Sequence, residues 1–562
     1  MTRKSAGLAL ILFMALGFVH GCKRSPEGNM VDLALLNGKI WTGDPGRPWA
    51  EAVAVRGDKI FAVGTTAEVR KLASGAANVV DLGGALVLPG FIDSHTHFLA
   101  GGFALKSIQL RAARSREEFV ALIAAKAREL GKGRWVVNGD WDHQEFSPPE
   151  LPRKDWIDAV TPDNPVCVNR LDGHMILANS AALKLAGVTK DTPVPPGGEI
   201  VKDPATGEPT GILKDMAMDL VYAKIPEPSF AEKLEAAEAS LRHAAENGVT
   251  SVHEMADAAS FEVFEELARR SRLTARVHVY IPITEVDTLA RLKLKSPFGS
   301  PYLKLAGLKG FVDGSLGSAT AYFFEPYTDD PGTSGLLHGQ MFPEGIMEKR
   351  IMEADRAGLQ LAIHAIGDKA NSLLLDMYEK AVAANGPRDR RWRVEHAQHL
   401  RPADIVRFGR LGLVASVQPY HLIDDGRWAE GKIGPERART TYAFRSLREA
   451  GATLVFGSDW TVAPLSPVLG IYAAVTRRTL DGKKPGGWIP EEKISVEEAV
   501  RAYTVNGAYT EFAEAAKGTI QAGKLADMVV LDRDIFTIPP EEIAGVKVAM
   551  TVFDGKIVHR KD

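Results

Sequence analysis

The chain has 562 residues, of which 45% are hydrophobic and 25% charged, with a formal net charge of -3. That length supports a large core and more than one domain. With no basic excess and no long run of one sign, the composition gives no footprint for nucleic acid and no charged tail.

The N-terminus differs from the rest. Arg3 and Lys4 precede an apolar run over residues 6–19, followed by His20, Gly21 and Cys22. A basic start before a short apolar run reads as an export signal and is too short for a membrane span. The run closes on Val-His-Gly-Cys, which resembles a bacterial lipoprotein cleavage site, where Cys22 would carry lipid and become the new N-terminus. An ordinary cleaved signal with a chance cysteine is the alternative. The expectation is an exported, membrane-anchored lipoprotein facing the periplasm or cell exterior, touching the membrane only through that anchor. Residues 23–30 read as a short tether. The other cysteine, Cys167 in "NPVCVNR", reads as a small buried hydrophobe.

Residues 31–88 alternate strand-like runs with Gly or Asp turns, and residues 515–562 do the same ("GKLADMVVLDRD", "VKVAMTVFDGKIVHR"). Two β-rich ends flanking a long middle predict one small β-sandwich assembled from both termini. The middle, residues 89–514, alternates helices with short apolar strands, which predicts a parallel α/β arrangement. In "SFAEKLEAAEASLRHAAENGVTSVHEM", Ser229 is the expected helix N-cap and Gly248 the stop, with a strand following.

Ten strand-like runs can be counted in this middle, near 91–97, 134–139, 165–171, 249–255, 276–281, 303–312, 360–364, 392–396, 412–418 and 453–459. A TIM-like (β/α)8 barrel needs eight. The runs near 134–139 and 165–171 are therefore assigned to an excursion over about residues 100–228, inserted after the first barrel strand.

Several of these strands end in polar groups. "GFIDSHTH" ends with Asp93, His95 and His97 two residues apart, so alternation points them to one face. "LQLAIHAIGD" carries His364, "RWRVEHAQH" carries His396 and "TLVFGSDW" carries Asp459. A barrel places its chemistry at strand C-terminal ends. Neutral imidazole and carboxylate are the ligand types of zinc and similar divalent ions. Such an ion activates a water to attack a carbonyl, and Asp459 fits the general acid/base that moves the water's proton to the leaving group. Asp93 is expected to orient a histidine, and Trp141 and Asp142 to cap the pocket from the excursion. His253, Glu254 and His399 are read as structural. Arg170 either holds a substrate acid group or sits in a salt bridge.

"GFIDSHTH", "AIHAIGD", "VEHAQH" and "FGSDW", in that order, resemble the metal-dependent amidohydrolase superfamily, in the branch of N-substituted formamide deformylase-like proteins. The likeness extends to "NGDWD", "RLDGHMILANSAAL", "LKGFVDGSLGSATA" and "GTIQAGKLADMVVLD" and covers about residues 31–560. It implies that His95, His97 and Asp459 hold one metal and that His364 and His396 hold a second. It also implies that Lys309 is a carboxylated lysine bridging the two, because an unmodified ammonium has no lone pair for a cation. His174, in "LDGH", matches a substrate-facing position. If Lys309 is unmodified, a one-metal site on His95, His97 and Asp459 remains, so one or two ions, zinc first among them, are expected.

The implied function is hydrolysis of a non-peptide carbon–nitrogen bond, of amide or N-formyl type, in a small-molecule substrate. The same site acting on a lactone or phosphoester is one alternative, and a non-catalytic, lipid-anchored binding protein is another. Oligomeric state, including a homo-oligomer, is left open by the sequence.

Overall fold

The computed structural model describes residues 31–256 and 258–561. The signal-type segment, Cys22 and the tether lie outside the described residues.

The centre is an eight-stranded parallel barrel: β1 (Phe91–Thr96), β2 (Val249–Met255), β3 (Arg276–Pro282), β4 (Leu303–Phe311), β5 (Leu361–Ala365), β6 (Arg393–His396), β7 (Val414–Val417) and β8 (Thr453–Phe456). Neighbours in sequence are neighbours in the sheet, all parallel. The strands are short, apolar and buried almost throughout, as expected where helices cover the outside and side chains fill the inside. Closure comes just past β8, where the Asp459 amide donates to the His95 carbonyl and the His97 amide to the Trp460 carbonyl, both at 2.7 Å. The seam is thus tied at the strand C-terminal ends, where the polar groups gather.

The two surplus strand-like runs belong to a separate five-stranded sheet. Its order is Gly198–Lys202, Pro209–Asp215, Met175–Ala178, Val166–Asn169 and Val136–Val137. Trp141, expected at the pocket, is a correction: it is fully buried among Phe119, Phe146 and Trp156, with its indole N–H donated to the Val168 carbonyl at 2.9 Å. A side chain this large and apolar is worth more in the excursion's core than at a wet mouth.

Helix α1 is the short Phe98–Ala104 segment that follows His97 and leads into the excursion, and α2, after the excursion, is Phe230–Glu246. Ser229 and Glu232 form a capping box at the start of α2, and Gly248 adopts a positive φ of 75° before β2.

The β-rich ends pack into a small sandwich. One sheet is N-terminal, in the order Lys59–Gly64, Ala52–Arg56, Leu33–Leu36 and Asn78–Asp81. The other joins Lys556–Arg560, Val548–Phe553 and Met528–Leu531 to Leu86–Pro89, Lys39–Trp41 and Trp49–Ala50. Their shared core mixes Leu33, Val53 and Val87 with Met528, Val530 and Val552.

Candidate metal centre at the barrel mouth

β1 delivers His95 near its end, buried at 1% exposure, while His97 caps the start of α1 and keeps a half-open side chain. Asp459 follows β8 with φ of 55°, a left-handed conformation rare for a non-glycine residue and concentrated at functional sites. Its Oδ1 lies 3.6 Å from His95 Nε2 and 3.3 Å from His97 Nε2. On the other side, His396 and His421 each bring a donor atom to Asp459, all three within 4.8 Å of one another. Asp459 is thus shared by two three-donor groups. Asp459 Oδ1 and His421 Nε2 are buried and make no hydrogen bond, a cost that a bound cation would relieve.

The other ring nitrogens are committed. His95 Nδ1 donates to Glu395, whose carboxylate is held by Arg393 through Nε at 2.7 Å and Nη2 at 3.1 Å. His396 Nδ1 donates to Gln418 Oε1 at 2.8 Å, and His364 Nε2 donates to the Gly314 carbonyl at 3.0 Å. Fixing one N–H leaves the opposite lone pair to face the site, as metal-ligating histidines require. Burial, reinforced by neighbouring positive groups, holds all three rings neutral, well below the usual histidine range. Burial alone would raise the Asp459 carboxyl, but the imidazoles of His95 and His97 outweigh it and keep it ionised.

His364 meets His396 edge-on at 4.5 Å and lies tilted 5.3 Å from His174 between ring centroids, yet it belongs to no compact three-donor group among the described residues. Lys309, on β4, is buried and forms no ion pair among the described residues; burial pushes its amine down to about 8. His174 donates from Nδ1 to Asp215 at 2.6 Å, and that carboxylate outweighs burial and raises the ring's proton affinity. All these groups line one cavity of about 660 Å³, bounded by barrel loops below and the excursion above.

One expectation changes, and two residues are given their partners. Asp93 touches no imidazole: its Oδ1 accepts from the Ser458 amide at 2.8 Å and the His95 amide at 3.3 Å, pinning β1 to the segment that carries Asp459. Glu254 accepts from the Phe98 and Leu99 amides and so caps α1. Arg170 is buried and already paired with Asp142 and Asp172. The sequence reading missed His421, Glu395 and Arg393; for His421 the only local signal was a histidine just after the β7 run.

A separate group, His253, His278 and Glu511, also brings three donors within 4.8 Å. Arg393 donates to His253 Nδ1 at 2.5 Å, so His253 Nε2 carries its proton and donates to Glu511 at 3.0 Å. Lys517 lies 2.6 Å from the same carboxylate. Two fixed cations and an occupied Nε2 make this a polar core that braces Arg393, with no place for a metal.

The amidohydrolase family model matches residues 78–559. Protein LONG AFTER FAR-RED 3 of Arabidopsis thaliana is 42% identical over 94% of this chain and 92% of its own length. N-substituted formamide deformylase of Arthrobacter pascens is 29% identical over 95% and 99%. An uncharacterized metal-dependent hydrolase from Pyrococcus horikoshii superposes with a TM-score of 0.73 at 30% identity, covering 90% of this chain and 99% of that one. The chain belongs to the amidohydrolase family and is a metal-dependent hydrolase.

Proposed function

We propose that this hydrolase cleaves amide or N-formyl bonds of small molecules, using zinc or a similar divalent ion held by His95, His97 and Asp459. His396 and His421 hold a second ion, with His364 offering Nδ1 nearby. The reading rests on one observation: neutral imidazoles with one nitrogen fixed and the other open converge on a buried carboxylate whose Oδ1 has no hydrogen bond. The formamide deformylase relative supports the choice of bond.

A bound divalent ion supplies acidification of a water and polarisation of the substrate carbonyl. The ionised Asp459 takes the attacking water's proton and returns it to the leaving nitrogen. His174, fixed through Nδ1–H by Asp215 and in the protonated form which that carboxylate favours, presents Nε2–H toward the carbonyl oxygen as its charge develops. Lys309, a buried amine whose proton is held loosely, is suited to take up CO2 and become an anionic ligand. The sequence pattern at Cys22 supports a lipid-anchored, exported location.

Elemental analysis together with turnover of N-formyl and N-acyl amines tests the reading. One to two equivalents of metal are expected. Asp459→Asn is expected to lower kcat by about 10²- to 10⁴-fold. Lack of retained metal combined with lack of turnover, after reconstitution with metal and bicarbonate, overturns it.

A further inference from the structure

Resting on that reading and narrowing its substrate class, we propose that Asp425 and Trp428 form a second recognition point in the cavity for a positively charged nitrogen on the substrate. Amides and N-formyl derivatives of diamines and related cationic amines are then the preferred substrates.

On the cavity wall, Lys309 is reserved for the metal centre in this reading, and the wall's arginine is already paired. Arg170 spends Nη1 on Asp172 at 2.6 Å and Nη2 on Asp142 at 3.0 Å. Of the other wall carboxylates, Asp424 is held by Arg111 and Arg427, and Asp215 by His174. Asp425 differs. It lines the same cavity but forms no ion pair among the described residues. Its Oδ2 accepts from the Tyr442 hydroxyl at 2.6 Å and from Gln398 Nε2 at 3.0 Å, which leaves Oδ1 uncommitted. Both neighbours are donors, so they favour the ionised form. Burial, aided by nearby Asp424, nonetheless pushes the carboxyl up to about 8, the behaviour of a carboxylate lacking its counter-ion. A ligand cation would supply it.

Trp428 adds an independent sign. It lines the same cavity and brings an aromatic ring, the kind of group on which a cation rests, while its buried, unpartnered Nε1–H is a donor that takes an acceptor atom of the substrate rather than the charge. Spacing completes the case. His421 and Asp425 lie four residues apart on helix α3 (Pro419–Asp425), and Trp428 follows in a turn closed by its amide on the Asp425 carbonyl at 2.9 Å. Positions i and i+4 share a face, so Asp425 stands about one turn, roughly 5.4 Å, along the helix from the histidine beside Asp459. A substrate with its carbonyl at the metal centre and its charge a short spacer away meets both.

Calorimetric titration of the metal-loaded protein with choline and its uncharged isostere 3,3-dimethylbutan-1-ol isolates the charge, since a quaternary nitrogen cannot ligate metal. Choline is expected to bind about ten- to a hundredfold tighter, and the difference to collapse in Asp425→Asn. The kcat/KM ratio for N-formyl-1,4-diaminobutane over N-formylbutylamine is expected to follow, carried by KM. Equal affinity for the two probes in the unmutated protein, or lack of detectable choline binding, overturns the proposal without recourse to any variant. Charge-selective binding with neither formamide turned over supports the cation site and removes the hydrolytic reading instead.

Discussion

Each imidazole that faces Asp459 from β1 or β6 is committed on one nitrogen and open on the other, and the commitment is made by a residue distant in the chain. His95 depends on Glu395, and Glu395 on Arg393, which His253 and Ser416 brace in turn. His399 is the contrast. It receives a hydrogen bond from Gln398 Nε2 at 3.1 Å and donates from Nδ1 to Thr441 at 2.8 Å, so both nitrogens are spent and the ring is structural. Burial lowers its pKa to about 3. A buried neutral histidine binds fewer protons folded than unfolded below pH about 6.5, so its contribution is intact above that value and lost as pH falls toward 3. At pH 4 the loss is on the order of 3 kcal/mol. His399→Gln lacks this term. The deficit of the variant in melting temperature at pH 7 is therefore expected to shrink at pH 4, and a pH-independent deficit would refute a neutral buried ring. The histidines at strand ends were legible because strand alternation is local. His421 was not, because it sits inside the helix after β7, and Glu395 was not, because its importance is set by a partner on β1.

At the level of elements, eight apolar runs ending in polar residues were enough to indicate the barrel, and the two surplus runs to indicate the excursion. What periodicity could not show was which aromatic of the excursion faces inward: Trp141 and Asp142 are adjacent, yet the first packs in a core and the second lines the cavity. Nor did it show why α1 begins "FLAGG". A Cβ on Gly102 would stand 2.0 Å from the Ala236 carbonyl oxygen, so the glycine lets α1 lie directly on α2. Gly102→Ala is expected to destabilise the protein by about 1–3 kcal/mol through overpacking. It is also expected to weaken metal retention, since α1 starts at His97. Thermal unfolding and chelator competition read the two effects, and an unchanged melting temperature would show that the helix pair yields freely.

Across the whole molecule, the sandwich is fastened to the barrel by charge as well as by apolar packing. Arg276, the first residue of β3, is buried and holds Asp527 at 2.7 and 3.1 Å and Asp554 at 3.3 Å. Arg276→Met strands Asp527 without its cation, with an expected loss of about 3–5 kcal/mol. Hydrogen exchange should then rise in Met528–Leu531 and Val548–Phe553 ahead of β2 to β4. Equal acceleration in both regions would mean that the sandwich and barrel open as one unit. The composite sandwich was legible in outline because both ends carried the same turn-punctuated strands, but the register between them was not.

That register carries a consequence for how the chain is made. Leu86–Pro89 pairs antiparallel with Met528–Leu531, a partner some 440 residues downstream. At synthesis rates of about 5–20 residues per second, the earlier strand emerges on the order of a minute before the later one exists. Throughout that interval the nascent chain presents an apolar edge with open backbone hydrogen bonds, the kind of surface that invites pairing with a wrong neighbour. Closure of the sandwich therefore waits for the C-terminal segment wherever the chain folds, and its yield should respond to chaperones that shield an early strand.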